Sequence, residues 1–138
     1  MKYKYTSTKE WVEAFPVAYR QWKADSHCSL NHGYALSIKL YFGANDLDAR
    51  NWVMDYGGLK PLKMQLGEWF DHKTLVAEDD PLRHLIEEYA KAGGAKITYV
   101  AATGCEALAD FLYEYINTIY LPNVGETDRI WCYRVEVS

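Results

Sequence analysis

At 138 residues, with 49% hydrophobic side chains, 12 tyrosines and 5 tryptophans, the chain has the composition of one globular domain and not of a disordered segment. A formal net charge of −4 and the lack of any Lys/Arg run exclude the electrostatic footprint of a nucleic-acid or membrane-surface binder. No apolar stretch nears the ~20 residues of a membrane-spanning helix, Met1–Tyr5 has no apolar signal core behind it, and Cys28, Cys105 and Cys132 show no disulfide spacing; together these predict a cytoplasmic protein with free thiols.

Ser7-Thr8-Lys9-Glu10 has the form of a capping box and predicts a short helical turn. Ala14–Trp22 is aromatic-rich and predicts a first strand, with Pro16 near its start or at an edge. After a loop carrying His27, Cys28 and His32, residues 34–42 alternate. Tyr34, Leu36, Ile38, Leu40 and Phe42 share one face, and Ala35, Ser37, Lys39 and Tyr41 the other, the pattern of a half-buried strand. A polar turn, 43–50, leads to a short strand at Asn51–Tyr56, closed by Gly57-Gly58. Leu59, Leu62, Leu66 and Trp69 fall at helical spacing.

Residues 70–76 read as a loop or short extended piece. Asp80 and Pro81 mark a helix start, with Asp80 as cap, Leu82, Leu85, Ile86 and Tyr89 as the apolar stripe, and Gly93-Gly94 as the stop. Lys96–Ala102 predicts a strand. Thr103 and Glu106 form a second capping box, opening a helix that turns Leu108, Phe111, Leu112, Tyr115 and Ile119 inward. Arg129–Val137 is the last strand, with Ile130, Cys132, Arg134 and Glu136 placed on one side. The order predicts a single α+β domain over 1–138, an antiparallel sheet with helices on one face.

The most reactive stretch is the loop from Ser26 to Tyr34, which packs one thiol and two imidazoles between His27 and His32. Cys28 suits proton transfer if a nearby cation or imidazole lowers its pKa; a small packing thiol is the alternative reading. Cys105 and Cys132 read as packing thiols, Asp55 as a turn former, and Trp22, Trp52, Trp69 and Trp131 as core or subunit interface.

Cys28-x-x-x-His32-Gly33 resembles the C-x-x-x-H-G-H signature of the 6-pyruvoyltetrahydropterin synthase family, which includes the 6-carboxytetrahydropterin synthases of queuosine biosynthesis. Trp52-Val53-Met54-Asp55-Tyr56-Gly57-Gly58-Leu59-Lys60 is similar to the family's G-W/M-V-x-D-F-x-x-L-K stretch. Phe70-Asp71-His72-x-x-Leu75 is similar to its L-D-H-x-x-L-N, Cys105-Glu106 to its P-T-S-E, and Arg134-Val135-Glu136 to its V-x-E-T. These blocks, in this order across most of the chain, are far more specific than any one of them.

The resemblance implies a tunnelling fold that assembles as a homo-oligomeric barrel, a trimer or a hexamer. It also implies a small-molecule pterin substrate, 7,8-dihydroneopterin triphosphate, bound between subunits. By the same resemblance Cys28, Asp71 and His72 move protons. The Asp71 carboxylate would fix the tautomer of His72, and Glu136 would hold the 2-amino and ring N–H edge of the pterin as carboxylates hold guanidinium groups. Glu106 is a second candidate for substrate contact.

Zinc is implied too, through three histidines, but only His32 survives at a matching position. Tyr19 stands where the F-x-A-x-H histidine would be, and Tyr34 where H-x-H would end. His27 is the nearest replacement ligand, with His72 and Cys28 further candidates, and Arg20 is the nearest alternative positive charge. The implied function is a lyase giving 6-carboxytetrahydropterin or 6-pyruvoyltetrahydropterin. The alternatives are a pterin- or purine-binding protein that has lost the chemistry, and a different activity on another pterin or deazapurine precursor.

Overall fold

The computed structural model describes residues 2–138. A long strand β1 (Tyr5–Tyr19) turns through a 3₁₀ turn at His27–Ser29 into β2 (His32–Ala44). Then follow α1 (Lys60–Phe70), β3 (Lys73–Ala77), α2 (Arg83–Lys91), β4 (Ile97–Val100), α3 (Cys105–Tyr115) and β5 (Ile130–Val137). A π-helical stretch at Ile116–Tyr120 prolongs α3. The strands form one five-stranded sheet in the order β4-β3-β1-β2-β5.

β2 is the centre of the core. Leu36, Ile38, Leu40 and Phe42 are buried, as the alternation predicts. β1 pairs antiparallel with it from Tyr5↔Ala44 to Tyr19↔His32. Ser7–Glu10 therefore lies in a strand and not in a helical turn. Unbroken pairing with β2 from Tyr5 to Trp11 outweighs a local capping pattern, which is worth about 1 kcal/mol. Between Trp11↔Ile38 and Phe15↔Leu36 the first strand carries two extra residues. Two extra residues preserve side-chain parity, so Trp11, Phe15, Val17 and Tyr19 all face the core. The bulge is held where the Glu13 N–H, at φ +48°, donates to Ser37 Oγ at 2.7 Å.

β5 changes phase instead. It pairs Phe42 with Cys132 but Tyr41 with Arg134, leaving Tyr133 unpaired. One extra residue flips the faces of everything after it. Ile130 and Cys132 point into the core, and beyond the bulge it is Val135 and Val137 that pack against it. Arg134 and Glu136 thus lie on the opposite side of the sheet from Ile130 and Cys132, which corrects the shared face expected from simple alternation.

The expected α+β sheet is present, with two refinements. β3 and β4 run parallel to β1, while β1, β2 and β5 are antiparallel. The crossovers β3–α2–β4 and β4–α3–β5 travel in opposite directions across the sheet, and right-handed crossovers then place α2 and α3 on opposite faces. Accordingly α3 packs on the core face, through Leu108 and Leu112. Leu82, just before α2, and the α2 residues Leu85, Ile86 and Tyr89 line a cleft of about 460 Å³ with Arg20 and Thr74 of the other face.

Residues 51–56 are not a strand. The Asp48 carboxylate accepts the Arg50 and Trp52 N–H groups, Asp55 accepts that of Gly57, and Asn51 sits at φ +65°. Side chains that take over backbone donors in this way hold a turn. No helix of the described residues is long and apolar enough to cross a membrane.

Cys132 is a packing thiol, as expected. Burial pushes its pKa up to about 12. A group whose folded pKa is raised contributes stability that is complete below its ordinary value and lost as pH rises through the folded value. The expected results are that Cys132 escapes alkylation in the native protein at pH 8 and reacts in denaturant, and that stability erodes between about pH 9 and about pH 12. Mass spectrometry of the alkylated peptides and urea titrations across that range measure both.

Candidate active site

Cys28 sits half-exposed in the 3₁₀ turn His27–Ser29. Its backbone is pinned at both ends: its N–H donates to Ser26 Oγ at 3.3 Å, and its carbonyl accepts from the Gln21 N–H at 2.9 Å. His27 is exposed on the same turn. Arg20, the first residue after β1, anchors the loop from below. Its Nε donates to the Ser29 carbonyl at 2.8 Å and its Nη1 to Asp80 Oδ1 at 2.9 Å. The Asp80 side chain is 1% exposed and also accepts the Leu82 N–H. Asp80 therefore stops the turn before α2, whose regular part begins at Arg83, two residues beyond the expected Pro81.

His32 opens β2 next to Tyr19 of β1. Its Nδ1 lies 2.8 Å from the Leu30 carbonyl and its Nε2 2.5 Å from the Tyr34 hydroxyl. A carbonyl only accepts, so Nδ1 carries the proton and Nε2 receives the Tyr34 O–H. Tyr34 in turn stacks on Tyr19, with ring centroids 4.3 Å apart and 11° between planes. Burial raises the pKa of both phenols, and the neighbouring thiols add to it: Cys105 beside Tyr19, and Cys28 and Cys105 beside Tyr34. The structure thus gathers Cys28, His32, Tyr19, Tyr34 and Cys105 at one end of the sheet. Sequence reasoning treated Cys105 as mere packing. The signal for the tyrosines was their standing where the resemblance calls for histidine.

Glu106 lies in the first turn of α3, but Thr103 does not form a capping box with it. The Thr103 hydroxyl donates to the Arg20 carbonyl at 2.7 Å, and Gly104, at φ +114°, precedes the helix without a side-chain cap. An ideal Cβ at Gly104 would come 3.7 Å from Glu106 Oε2 and 2.9 Å from Gln21 Oε1. Glycine keeps the helix start close to the Cys28 loop, and the Glu106 carboxylate is left without the capping role expected of it.

Asp71 and His72 do form the expected couple: His72 Nδ1 lies 2.6 Å from Asp71 Oδ1. They sit between α1 and β3, where the His72 N–H donates to the Pro16 carbonyl at 2.8 Å and His72 adopts φ +59°. The positive φ lets adjacent side chains meet, which a regular strand forbids. The imidazole is 83% exposed. Pro16 is three positions from Tyr19, so the couple lies roughly 10 Å along β1 from the Cys28 end and on its other flank.

Glu136 is farther away. It pairs with Lys39, on the strand that His32 begins, roughly 23 Å along β2. Its Oε1 accepts from Arg134 Nη2 at 2.7 Å. Within one chain the thiol, the acid–imidazole couple and this carboxylate do not converge.

The residues do not fit a three-ligand zinc site. Among the described residues no three His, Cys, Asp or Glu side chains are grouped to hold a metal ion. His32 has both ring nitrogens engaged, and His27 brings no companion to it. Neither the cleft of about 650 Å³ between the start of β1 and residues 51–57 nor that of about 520 Å³ between β4 and α3 is lined by a candidate side chain, and the cleft of about 460 Å³ beside α2 holds only Arg20.

Comparison with known proteins gives a consistent family. A curated 6-carboxy-5,6,7,8-tetrahydropterin synthase from Aquifex aeolicus is 29% identical over 97 residues, 69% of this chain. The match spans 60% of that protein's length. A crystal structure of an uncharacterized protein from Wolinella succinogenes superposes with a TM-score of 0.78 at 18% identity, covering 97% of this chain and 92% of that one, a likeness of fold. The profile of the 6-pyruvoyl tetrahydropterin synthase family matches residues 8–138. The tunnelling fold is therefore the one present, and the chain belongs to the 6-pyruvoyl tetrahydropterin synthase family.

Proposed function

We propose that the chain is a pterin synthase-like lyase that acts on 7,8-dihydroneopterin triphosphate with loss of triphosphate. The product would be 6-carboxytetrahydropterin, as the name of the curated relative suggests for that protein, with one water consumed and the two outer side-chain carbons leaving as acetaldehyde, or 6-pyruvoyltetrahydropterin, which keeps all three side-chain carbons. The observation that carries the reading is the setting of Cys28: a half-exposed thiol on a backbone-pinned turn, beside His32 and Tyr34, in a chain of this family. Cys28 and the Asp71–His72 couple take the proton transfers at the substrate side chain. Glu136 accepts the N–H edge of the ring, the donor type that Arg134 now offers it.

Because these groups lie apart in one chain, the reading requires a homo-oligomer in which Glu136 or the His72 couple of one copy faces Cys28 of another. Incubation with the triphosphate, followed by triphosphate release and product mass, tests it. Glu136→Gln is expected to weaken pterin binding by roughly ten- to a hundredfold, the worth of a hydrogen bond to a charged group, read by fluorescence quenching. Mixing Cys28→Ala and Glu136→Gln chains is expected to restore part of the turnover that each lacks alone. Pterin binding without any turnover, in the presence or absence of added metal, would instead favour the binding-protein reading, which the departures at Tyr19 and Tyr34 motivate.

A further inference from the structure

We propose that the centre beside Cys28 is built without a metal: Tyr19, Tyr34 and His32 form a closed, hydrogen-bonded aromatic stack that fills the place of the expected zinc ligands. The inference is independent of which reaction the chain performs, because metal content reads it directly.

Three observations carry it. The positions that the resemblance gives to zinc histidines hold rings already packed on one another: Tyr19 and Tyr34 have centroids 4.3 Å apart with 11° between planes, and Tyr34 and His32 4.7 Å. Three imidazoles on one tetrahedral ion put their nitrogens roughly 3.4 Å apart, given zinc–nitrogen bonds of about 2.1 Å, and their ring centres farther apart still, so rings this close do not aim at a common ion. Two of the three are phenols. Next, the single histidine has no free nitrogen. The Leu30 carbonyl fixes the proton on Nδ1, and Tyr34 O–H occupies Nε2. Finally, the side chains nearby supply no replacement set among the described residues. Tyr19 is 1% exposed and face to face with Tyr34, which leaves no room between the rings for an ion.

The chemical consequence is a change in what the site offers a ligand. A metal would act as a Lewis acid. The Tyr34 oxygen, having donated its proton to His32, keeps acceptor lone pairs, so the stack presents an acceptor to a ligand hydroxyl.

The test uses the chain expressed without a histidine tag in zinc-supplemented medium and exchanged into metal-free buffer. The expected result is a zinc content far below one per chain, with a melting temperature unmoved by chelator or by added zinc, since a ligand that does not bind the folded state does not stabilise it. Tyr19→His/Tyr34→His restores three imidazoles and is expected to hold about one zinc per chain, with a melting temperature that rises on zinc addition and falls on chelation. Stoichiometric zinc in the unaltered chain, or a folded double variant that takes up none, overturns the proposal. The ratio in the unaltered chain decides even if the double variant does not fold. A chain that lacks turnover but holds no zinc sinks the proposed reaction and leaves this inference standing.

Discussion

Arg20→Ala is expected to destabilise the fold by about 3–5 kcal/mol, the cost of stripping one partner from a buried ion pair. The Arg20 side chain is 16% exposed and that of Asp80 is 1% exposed, so solvent cannot take over the carboxylate. The same guanidinium holds the Ser29 carbonyl, and the Arg20 carbonyl accepts from Thr103. One residue therefore ties together the end of β1, the Cys28 turn, the turn before α2 and the approach to α3. The double change Arg20→Ala/Asp80→Ala removes both charges and is expected to cost clearly less than the sum of the single changes. Urea denaturation of the three variants measures the cycle. A loss under about 1 kcal/mol for Arg20→Ala, the range of exposed pairs, would mean that the pair is solvated in solution.

Cys28→Ala is expected to lower turnover by roughly a hundredfold to ten-thousandfold while leaving the melting temperature and pterin affinity nearly unchanged. The separation is possible because backbone groups, not the thiol, hold the turn: the Cys28 N–H to Ser26 and the Cys28 carbonyl to Gln21. Cys28→Ser keeps the shape but offers a hydroxyl far less acidic than a thiol, so its activity is expected to stay near that of the alanine variant. Turnover that survives Cys28→Ala would remove the thiol from the mechanism.

The strand from Tyr34 to Phe42 was legible because strict alternation has one physical meaning when one face is buried. The first half of β1 was not. Thr6, Ser7, Thr8 and Lys9 carry no strong pattern, and only pairing with β2 residues 31 to 37 positions away, Lys9↔Leu40 to Thr6↔Gly43, makes them a strand. Val53 and Met54 are buried and read as strand residues, but the carboxylates of Asp48 and Asp55 had already claimed the backbone donors around them. At the site, the motif residues were legible one by one, and the Asp71–His72 contact formed as expected. Their mutual distances were not legible, since within the chain they depend on strand order and register. The proximity of Cys105 to Tyr19 and Tyr34 was hidden because it joins a helix start to two strands.

The unpaired Tyr133 turns the address of Glu136 into a question of odd and even. Nothing in Ile130–Val137 forces that carboxylate outward except the one spare residue ahead of it. Were Tyr133 paired with Tyr41 instead of bulged out, the end of β5 would roll through half a turn, driving the guanidinium and the carboxylate of Arg134 and Glu136 toward Leu40 and Ile38 while two valines swung out to solvent. A slip of one position at this spot would thus swing Glu136 into the core although no side chain in the candidate site had been changed, whereas loss of Tyr133 itself would keep every face, because Arg134 would then follow Cys132 directly.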